Sequence, residues 1–331
     1  MTGGMNRKAR LGRPRIAALA LVALLAAAGP AGAQERKPVA GTSVSLVAPK
    51  GFEPATGFAG LMNKANQASV LIVELPAEAY PQLSTLFENS DTAKVNFARQ
   101  NVTITSLDRV TVGGEKVPLL IGSQVAPNGG TFDKWIALFK GEKTVMLTVQ
   151  APKAAKLAPA TVKAMIASVT LGKEPSLDDK LAALPFAIKV AAPFRVVDTI
   201  GGSGVLTTVG DKNTDPSGTQ PLMIVAYQNS GPAKPGQEQA LSETLLKGTH
   251  NLEDATVAES KRTPFAGSDG VLLRGSFKHA NGADKAFAQY LAIGPDGRFV
   301  RLIVMANAAE MPQLQPAIDQ TAASIAFTAK P

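Results

Sequence analysis

The strongest constraint on the fold is an internal repeat. Leu120-Ile121-Gly122-Ser123-Gln124 runs on to Asn128-Gly129 and Gly141. Leu273-Arg274-Gly275-Ser276-Phe277 runs on to Asn281-Gly282 and Gly294. Gly122 and Gly275, Gly129 and Gly282, and Gly141 and Gly294 are each separated by 153 residues. Ser168-Val169-Thr170-Leu171 matches Ser324-Ile325-Ala326-Phe327 at an offset of 156. Val70-Leu71-Ile72-Val73 matches Leu222-Met223-Ile224-Val225 at 152. Colinear matches with a small drift are what duplication followed by loop insertion leaves behind. The chain is therefore expected to build the same unit twice.

A distinct segment precedes the repeat. Arg7, Lys8, Arg10, Arg13 and Arg15 form a basic head, and the first 33 residues hold no acid. An apolar run over 16–28 leads to Gly29-Pro30 and Ala31-Gly32-Ala33. Basic region, apolar core and small residues are the order of a secretory signal peptide, with cleavage expected after Ala33. The run is shorter than the roughly 20 residues a membrane-spanning helix needs, so no stable membrane insertion is expected once the segment is removed. No cysteine follows to take a lipid, and Pro14 splits Arg13 from Arg15, against the twin-arginine route. The expected destination is the periplasm or the medium.

This segment also explains the charge. The chain has 34 Lys+Arg and 26 Asp+Glu, a formal +8. Without the five basic residues of the head, 29 bases face 26 acids, a balance of only +3. No basic stripe interleaved with aromatics is present, so no nucleic-acid partner is expected. The absence of cysteine excludes disulfide scaffolds, cysteine nucleophiles and Cys-ligated metal sites.

Both copies read alike in secondary structure. Strands are expected at 43–47 and 68–74 in the first copy, and at 187–190 and 222–227 in the second. An amphipathic helix follows each pair, over 81–99 with Leu83, Leu86, Phe87, Val95 and Phe97 for a buried face, and over 238–249 with Leu241, Leu245 and Leu246. Four strands come next, at 103–112, 117–125, 132–139 and 144–150, and at 256–263, 270–278, 286–293 and 299–306. Asn-Gly and Asp-Gly pairs mark hairpins between such runs. A closing helix is expected over 158–167 and over 313–323, with Pro159 and Pro312 near its first turn. The expected class is α+β, with two tandem antiparallel sheets packed by helices. The expected division is 1–33 signal peptide, 34–173 first domain, 174–184 a linker with a short helix capped by Ser176, and 185–331 second domain.

The element order resembles the PsbP-like fold, as do Pro49-Lys50-Gly51-Phe52, Phe58-Ala59-Gly60 and Ala68-Ser69-Val70 leading to Val73-Glu74-Leu75-Pro76. The second copy has Pro193-Phe194-Arg195 where the first has Gly51-Phe52. The resemblance implies a binding or assembly module rather than an enzyme.

Motifs for chemistry are sparse. Gly201-Gly202-Ser203-Gly204 and Gly267-Ser268-Asp269-Gly270 lack the spacing of a nucleophile elbow, and no phosphate-binding loop is present. The first string reads as a glycine-rich turn between two strands. His250 falls just past a helix, and His279 before a hairpin, where exposure is expected. Asp178-Asp179 and Glu253-Asp254 read as solvated charge at helix ends. Trp135, the only tryptophan, is expected to pack on a sheet rather than stack on a ligand. Asp211, Asn213 and Asp215 alternate as cation ligands do, but Pro216 and Leu222 stand where a calcium loop needs glycine and a carboxylate. The preferred reading is a polar loop whose Asx side chains cap turns, equivalent to Asn63-Lys64-Ala65-Asn66-Gln67 in the first copy. No catalytic residue and no cofactor are expected. The expected function is an exported, non-catalytic module that contacts a protein partner in the bacterial envelope. The alternative is a periplasmic small-molecule or cation carrier, with its site between the domains or in loop 211–218.

Overall fold

The computed structural model describes residues 35–126, 129–215, 217–229 and 233–328. The expected signal peptide with its expected cleavage position, Asn128 and Pro216 lie outside the described residues. The first half contains β1 (Arg36–Pro38), β2 (Val44–Val47), β3 (Glu53–Pro54), β4 (Gly60–Asn63), β5 (Ala68–Pro76), α1 (Ala79–Glu88) and α2 (Ser90–Ala98). It continues with β6 (Val102–Val112), β7 (Glu115–Val125), β8 (Thr131–Lys140), β9 (Lys143–Pro152), α3 (Pro159–Ala167) and β10 (Thr170–Leu171). A short helix, α4 (Leu177–Ala182), joins the halves. The second half contains β11 (Phe186–Ala187), β12 (Arg195–Ile200), β13 (Gly204–Thr208), β14 (Leu222–Gln228) and α5 (Glu238–Lys247). It closes with β15 (Thr256–Phe265), β16 (Ser268–Lys278), β17 (Asp284–Ile293), β18 (Phe299–Asn307), α6 (Met311–Ser324) and β19 (Ala326–Phe327). No helix among the described residues is long and apolar enough to cross a membrane.

The two halves share one topology, and the class is α+β. The seven-stranded sheets run β3-β4-β5-β9-β8-β7-β6 and β12-β13-β14-β18-β17-β16-β15, every neighbouring pair antiparallel. In each half the strand after the last helix pairs back to a strand near the half's start, β10 to β2 through Thr170 and Ser45, and β19 to β11 through Phe327 and Phe186. The Ser168/Ser324 repeat therefore marks the chain's return to close each unit.

Alternation along the strands puts apolar side chains on both sheet faces. Trp135, Ala137 and Phe139 pack with Val162, Met165 and Ile166 of α3, while Ile136 and Leu138 pack with Phe87 and Phe97 of α1 and α2. In the second half α6 covers Ala288, Tyr290 and Ala292, and α5 covers Leu291 and Ile293. Large and small residues exchange places between the copies: Trp135, Ala137 and Phe139 correspond to Ala288, Tyr290 and Ala292. Each copy fills its core with a different jigsaw of comparable size.

Four details depart from the sequence reading. The helix expected over 81–99 is two helices, because the Asn89 side chain accepts hydrogen bonds from the Asp91 and Thr92 amides and starts a new N-terminus. The break turns Val95 outward, 63% exposed, while Phe87 and Phe97 stay buried. The strand expected at 187–190 is only Phe186–Ala187, since Phe327 and Ala326 are its whole partner. Two strands, β12 and β13, flank the Gly201-Gly202 turn, in keeping with a turn between two strands, although the sequence reading gives neither of them a range. Both glycines have positive φ, 56° and 66°, as a tight hairpin turn requires. Finally, Val70 pairs with Val149 and Met223 with Val304, which aligns the copies here at 153, not 152. A one-residue slip would send Met223 and Val225 out of the core.

Candidate functional site

The residues singled out from the sequence do not converge. Trp135 is 3% exposed inside the first core, paired with Ile121 and Val149 on neighbouring strands. Its indole N–H has no hydrogen-bond partner among the described residues. His250 is exposed, with Nδ1 3.8 Å from Glu253. His279 opens the β16–β17 turn as expected, but it is half-buried rather than exposed: its ring lies against Gly218, where an added Cβ would stand 2.7 Å from Nε2.

Loop 211–218 joins β13 to β14, and the Asn63–Gln67 turn occupies the same place between β4 and β5. Asp215 is committed to the loop itself. It accepts from Ser217 Oγ at 2.5 Å, Thr219 Oγ1 at 3.0 Å and the Gln220 amide at 2.6 Å. These donors, Ser217 first, hold its carboxyl well below the usual carboxylate range. Asn213 Oδ1 accepts from Arg195 Nη1 at 2.8 Å. Two of the three oxygen donors are thus used as turn and strand anchors, and Asp211 is exposed.

A different place gathers both halves. A groove of about 540 Å³ is lined by Val73–Pro76 at the end of β5, Lys143, the joining segment from Glu174 to Lys180, Val197–Gly201 of β12 and its turn, Leu206, Asn213 and Thr214. The β12–β13 turn anchors its inner end. Gly201 O accepts from the Ala59 amide at 2.9 Å, and an added Cβ at Gly202 would stand 2.6 Å from that same nitrogen. Glycine is required there by the close approach of the two halves.

At the groove, four charges from three parts of the chain interlock. Lys180 Nζ, its side chain 7% exposed, donates to Asp198 Oδ1 at 2.8 Å and to Glu174 Oε1. Lys143 Nζ lies 3.1 Å from Glu174 Oε1 and 3.7 Å from Asp198 Oδ2. Burial works against the Lys180 charge, but the hydrogen bonds it donates to Asp198 and Glu174 outweigh it and raise its pKa. Burial likewise opposes the Glu174 charge, and the hydrogen bonds from Lys180 and Lys143 overcome it and lower its pKa.

The groove walls expose apolar side chains and main chain. Leu177 and Ile200 are 38% and 46% exposed, two of five large exposed apolar residues among those described. On the β5 side, the Ile72 amide donates away from β9, to Ala59 O at 2.8 Å. Alternation in an antiparallel ladder sends the Glu74 main chain the same way, but β4 already ends opposite Leu71. The corresponding Tyr227 amide in the second half is covered by Ser203 O at 2.7 Å. The β12 side is blunted, because the Thr199 amide is capped by its neighbour Asp198 at 2.8 Å. No sequence motif marks this groove, whose residues lie up to 141 positions apart, from Val73 to Thr214.

No family model matches the sequence, and no curated protein matches it. Among solved structures the chain is similar to LpqN, involved in cell envelope biogenesis of Mycobacterium tuberculosis, with 17% identity and a TM-score of 0.36 over 44% of this chain and 83% of LpqN. It is also similar to the T6SS immunity protein TplEi from Pseudomonas aeruginosa, with 9% identity and a TM-score of 0.34 over 88% of this chain and 97% of that one. The complex of TplEi with "L" peptide gives 9% identity and a TM-score of 0.30 over 85% and 99%.

Proposed function

We propose that this chain is an exported, non-catalytic binding module, a tandem pair of PsbP-like units whose shared groove takes a segment of a protein partner in the bacterial envelope. The carrying observation is that Leu177 and Ile200 stand exposed in one groove, beside the stretch of β5 that runs on past its pairing with β4. Exposed apolar side chains beside an open strand edge suit an extended peptide, which satisfies the edge with its own backbone and fills the apolar positions with alternate side chains. The groove's charges argue against acid–base catalysis. Lys180 and Glu174 are each held in the charged form, whereas a general acid or base works best with a pKa near the operating pH. The export segment supports the location.

Photo-crosslinking side chains placed singly at Leu177 and Ile200, with Val95 and Val257 as exposed apolar controls, test the proposal in the periplasm. One protein adduct, formed from the two groove positions and not from the controls, is the expected result. Equal labelling at all four positions, or none in the groove, refutes it. A small-molecule carrier is the second reading, favoured because about 540 Å³ falls within the size of ligand pockets. Native mass spectrometry of protein isolated from the periplasm separates the two, since a carrier retains a small adduct.

A further inference from the structure

A second cavity, of about 290 Å³, lies wholly within the second half. Glu238, the first residue of α5, lines it and is only 2% exposed. One carboxylate oxygen, Oε1, accepts from the Gly236 amide at 2.8 Å. The other, Oε2, is buried and has no hydrogen-bond partner among the described residues. Arg262 Nη1 is the nearest cation, at 3.9 Å, too far for a hydrogen bond, and the Arg262 side chain is 72% exposed. Asp269 also lines the cavity, as do the apolar residues Pro235, Ile293 and Pro295.

A buried carboxylate oxygen without a donor is a free-energy cost that a fitting cation removes. Two carboxylates offer too few ligands for calcium, which takes six to eight oxygens. A primary ammonium needs fewer acceptors, and its methylene stem suits apolar walls. The first half has no equivalent: residues 153 positions before Asp269 and Ile293 are Lys116 and Lys140, and the first turn of α1 holds no acid. We propose that the Glu238 cavity binds a primary ammonium group on a short methylene chain, either a free alkylamine or a lysine side chain of another protein, with Arg262 as the internal cation it competes against.

Titration calorimetry of the mature protein at neutral pH tests this with two probes. Cadaverine stands for the free amine, and Nα-acetyl-lysine methylamide for a protein lysine, with the Nε-acetylated form as the uncharged control. Binding by at least one charged probe and not by the control is expected, and which probe binds tighter identifies the source. Glu238→Gln keeps the shape and the Gly236 contact, and is expected to weaken binding about ten- to hundred-fold, the worth of a charge-assisted hydrogen bond. Arg262→Ala removes the competitor and is expected to tighten binding. No heat from either probe with both wild type and Arg262→Ala overturns the proposal, as does equal affinity in a folded Glu238→Gln variant. Glu238-dependent calcium binding in place of amine binding overturns it too.

Discussion

Gly275 lies across from the main chain of Thr256 so closely that an added Cβ would stand 1.9 Å from the Thr256 carbonyl oxygen. The same approach occurs in the first half, where a Cβ on Gly122 would stand 2.3 Å from Thr103 O. Both glycines face a register break, between Ile104 and Ser106 in β6 and between Val257 and Glu259 in β15. An extra residue in one strand bends it toward its partner, and only glycine leaves room. The most visible repeat in the sequence is therefore a duplicated β-bulge.

Gly275→Ala and Gly122→Ala should each destabilise the protein by about 2–4 kcal/mol, because the clash is with backbone and not with a movable side chain. Gly248→Ala is the control. Gly248 has negative φ, and an added Cβ would come no nearer than 3.5 Å to any atom beyond its chain neighbours, so a change within about 0.5 kcal/mol is expected. Urea unfolding of the three variants measures the difference.

The bulge shows why some of the fold is legible and some is not. A glycine forced by backbone contact cannot drift, so Gly122 and Gly275 keep their spacing while the surrounding core residues exchange sizes. The long strands of both sheets were legible from alternation for the same reason: their inward positions tolerate different apolar residues but not polar ones. The split at Asn89 was missed because apolar residues on either side continue a helical period. The cap signal was present in Asn89-Ser90-Asp91 all the same.

Lys180→Met should destabilise the protein by about 1–3 kcal/mol, less than a fully buried pair because Glu174 and Asp198 remain about one-third exposed. The pH dependence has a definite sign. Lys180 has a raised pKa, so its contribution is present below the ordinary lysine value of 10.5 and fades as pH rises through its folded value. Glu174 has a lowered pKa, so its contribution is present above the ordinary value of 4.5 and fades as pH falls through its folded value. The stability difference between wild type and variant should be flat across neutral pH and shrink at both extremes, as read by denaturant midpoints at several pH values.

Asp215→Ala should loosen the β13–β14 connection without a cation being involved. The Gln220 amide loses its acceptor, so its hydrogen exchange should speed up locally while the β14–β18 ladder keeps its protection. Because the Asp215 pKa is lowered, the wild-type advantage is present above about pH 4 and is lost on acidification. Unchanged exchange at Gln220 in the variant would show that the loop is held by something else.

A site between the domains is the alternative expectation from the sequence, but the residues that form the groove were beyond sequence reading for a physical reason. Its members are not spaced along one element. β5 supplies an edge because β4 is short, β12 supplies Asp198, and the joining segment supplies Glu174 and Lys180. The linker's polarity was visible, but the pairing of Lys180 with Asp198 depends on how the second sheet starts.

Arg301 and Gln289 pose the final test, because the copies solve one packing problem in two ways. In the α5-covered face of the second half, Arg301 Nε donates to Gln289 Oε1 at 2.7 Å and Nη2 to Thr249 Oγ1 at 2.8 Å, while Gln289 Nε2 donates to Ser242 Oγ at 2.5 Å. Gln289 is fully buried, and burial alone pushes the Arg301 guanidinium down. The aligned positions of the first half are Ile136 and Met146, apolar residues on the face covered by α1 and α2. Arg301→Met alone strands Gln289 Oε1 without a donor and should cost about 1–3 kcal/mol. Arg301→Met combined with Gln289→Ile copies the first half and should recover most of that loss, because replacing both partners of a buried polar pair by apolar groups of similar shape is close to neutral. A double-mutant cycle in urea reads the coupling. A double variant no more stable than Arg301→Met would mean that Ser242 and Thr249, and not the pair itself, make this face polar.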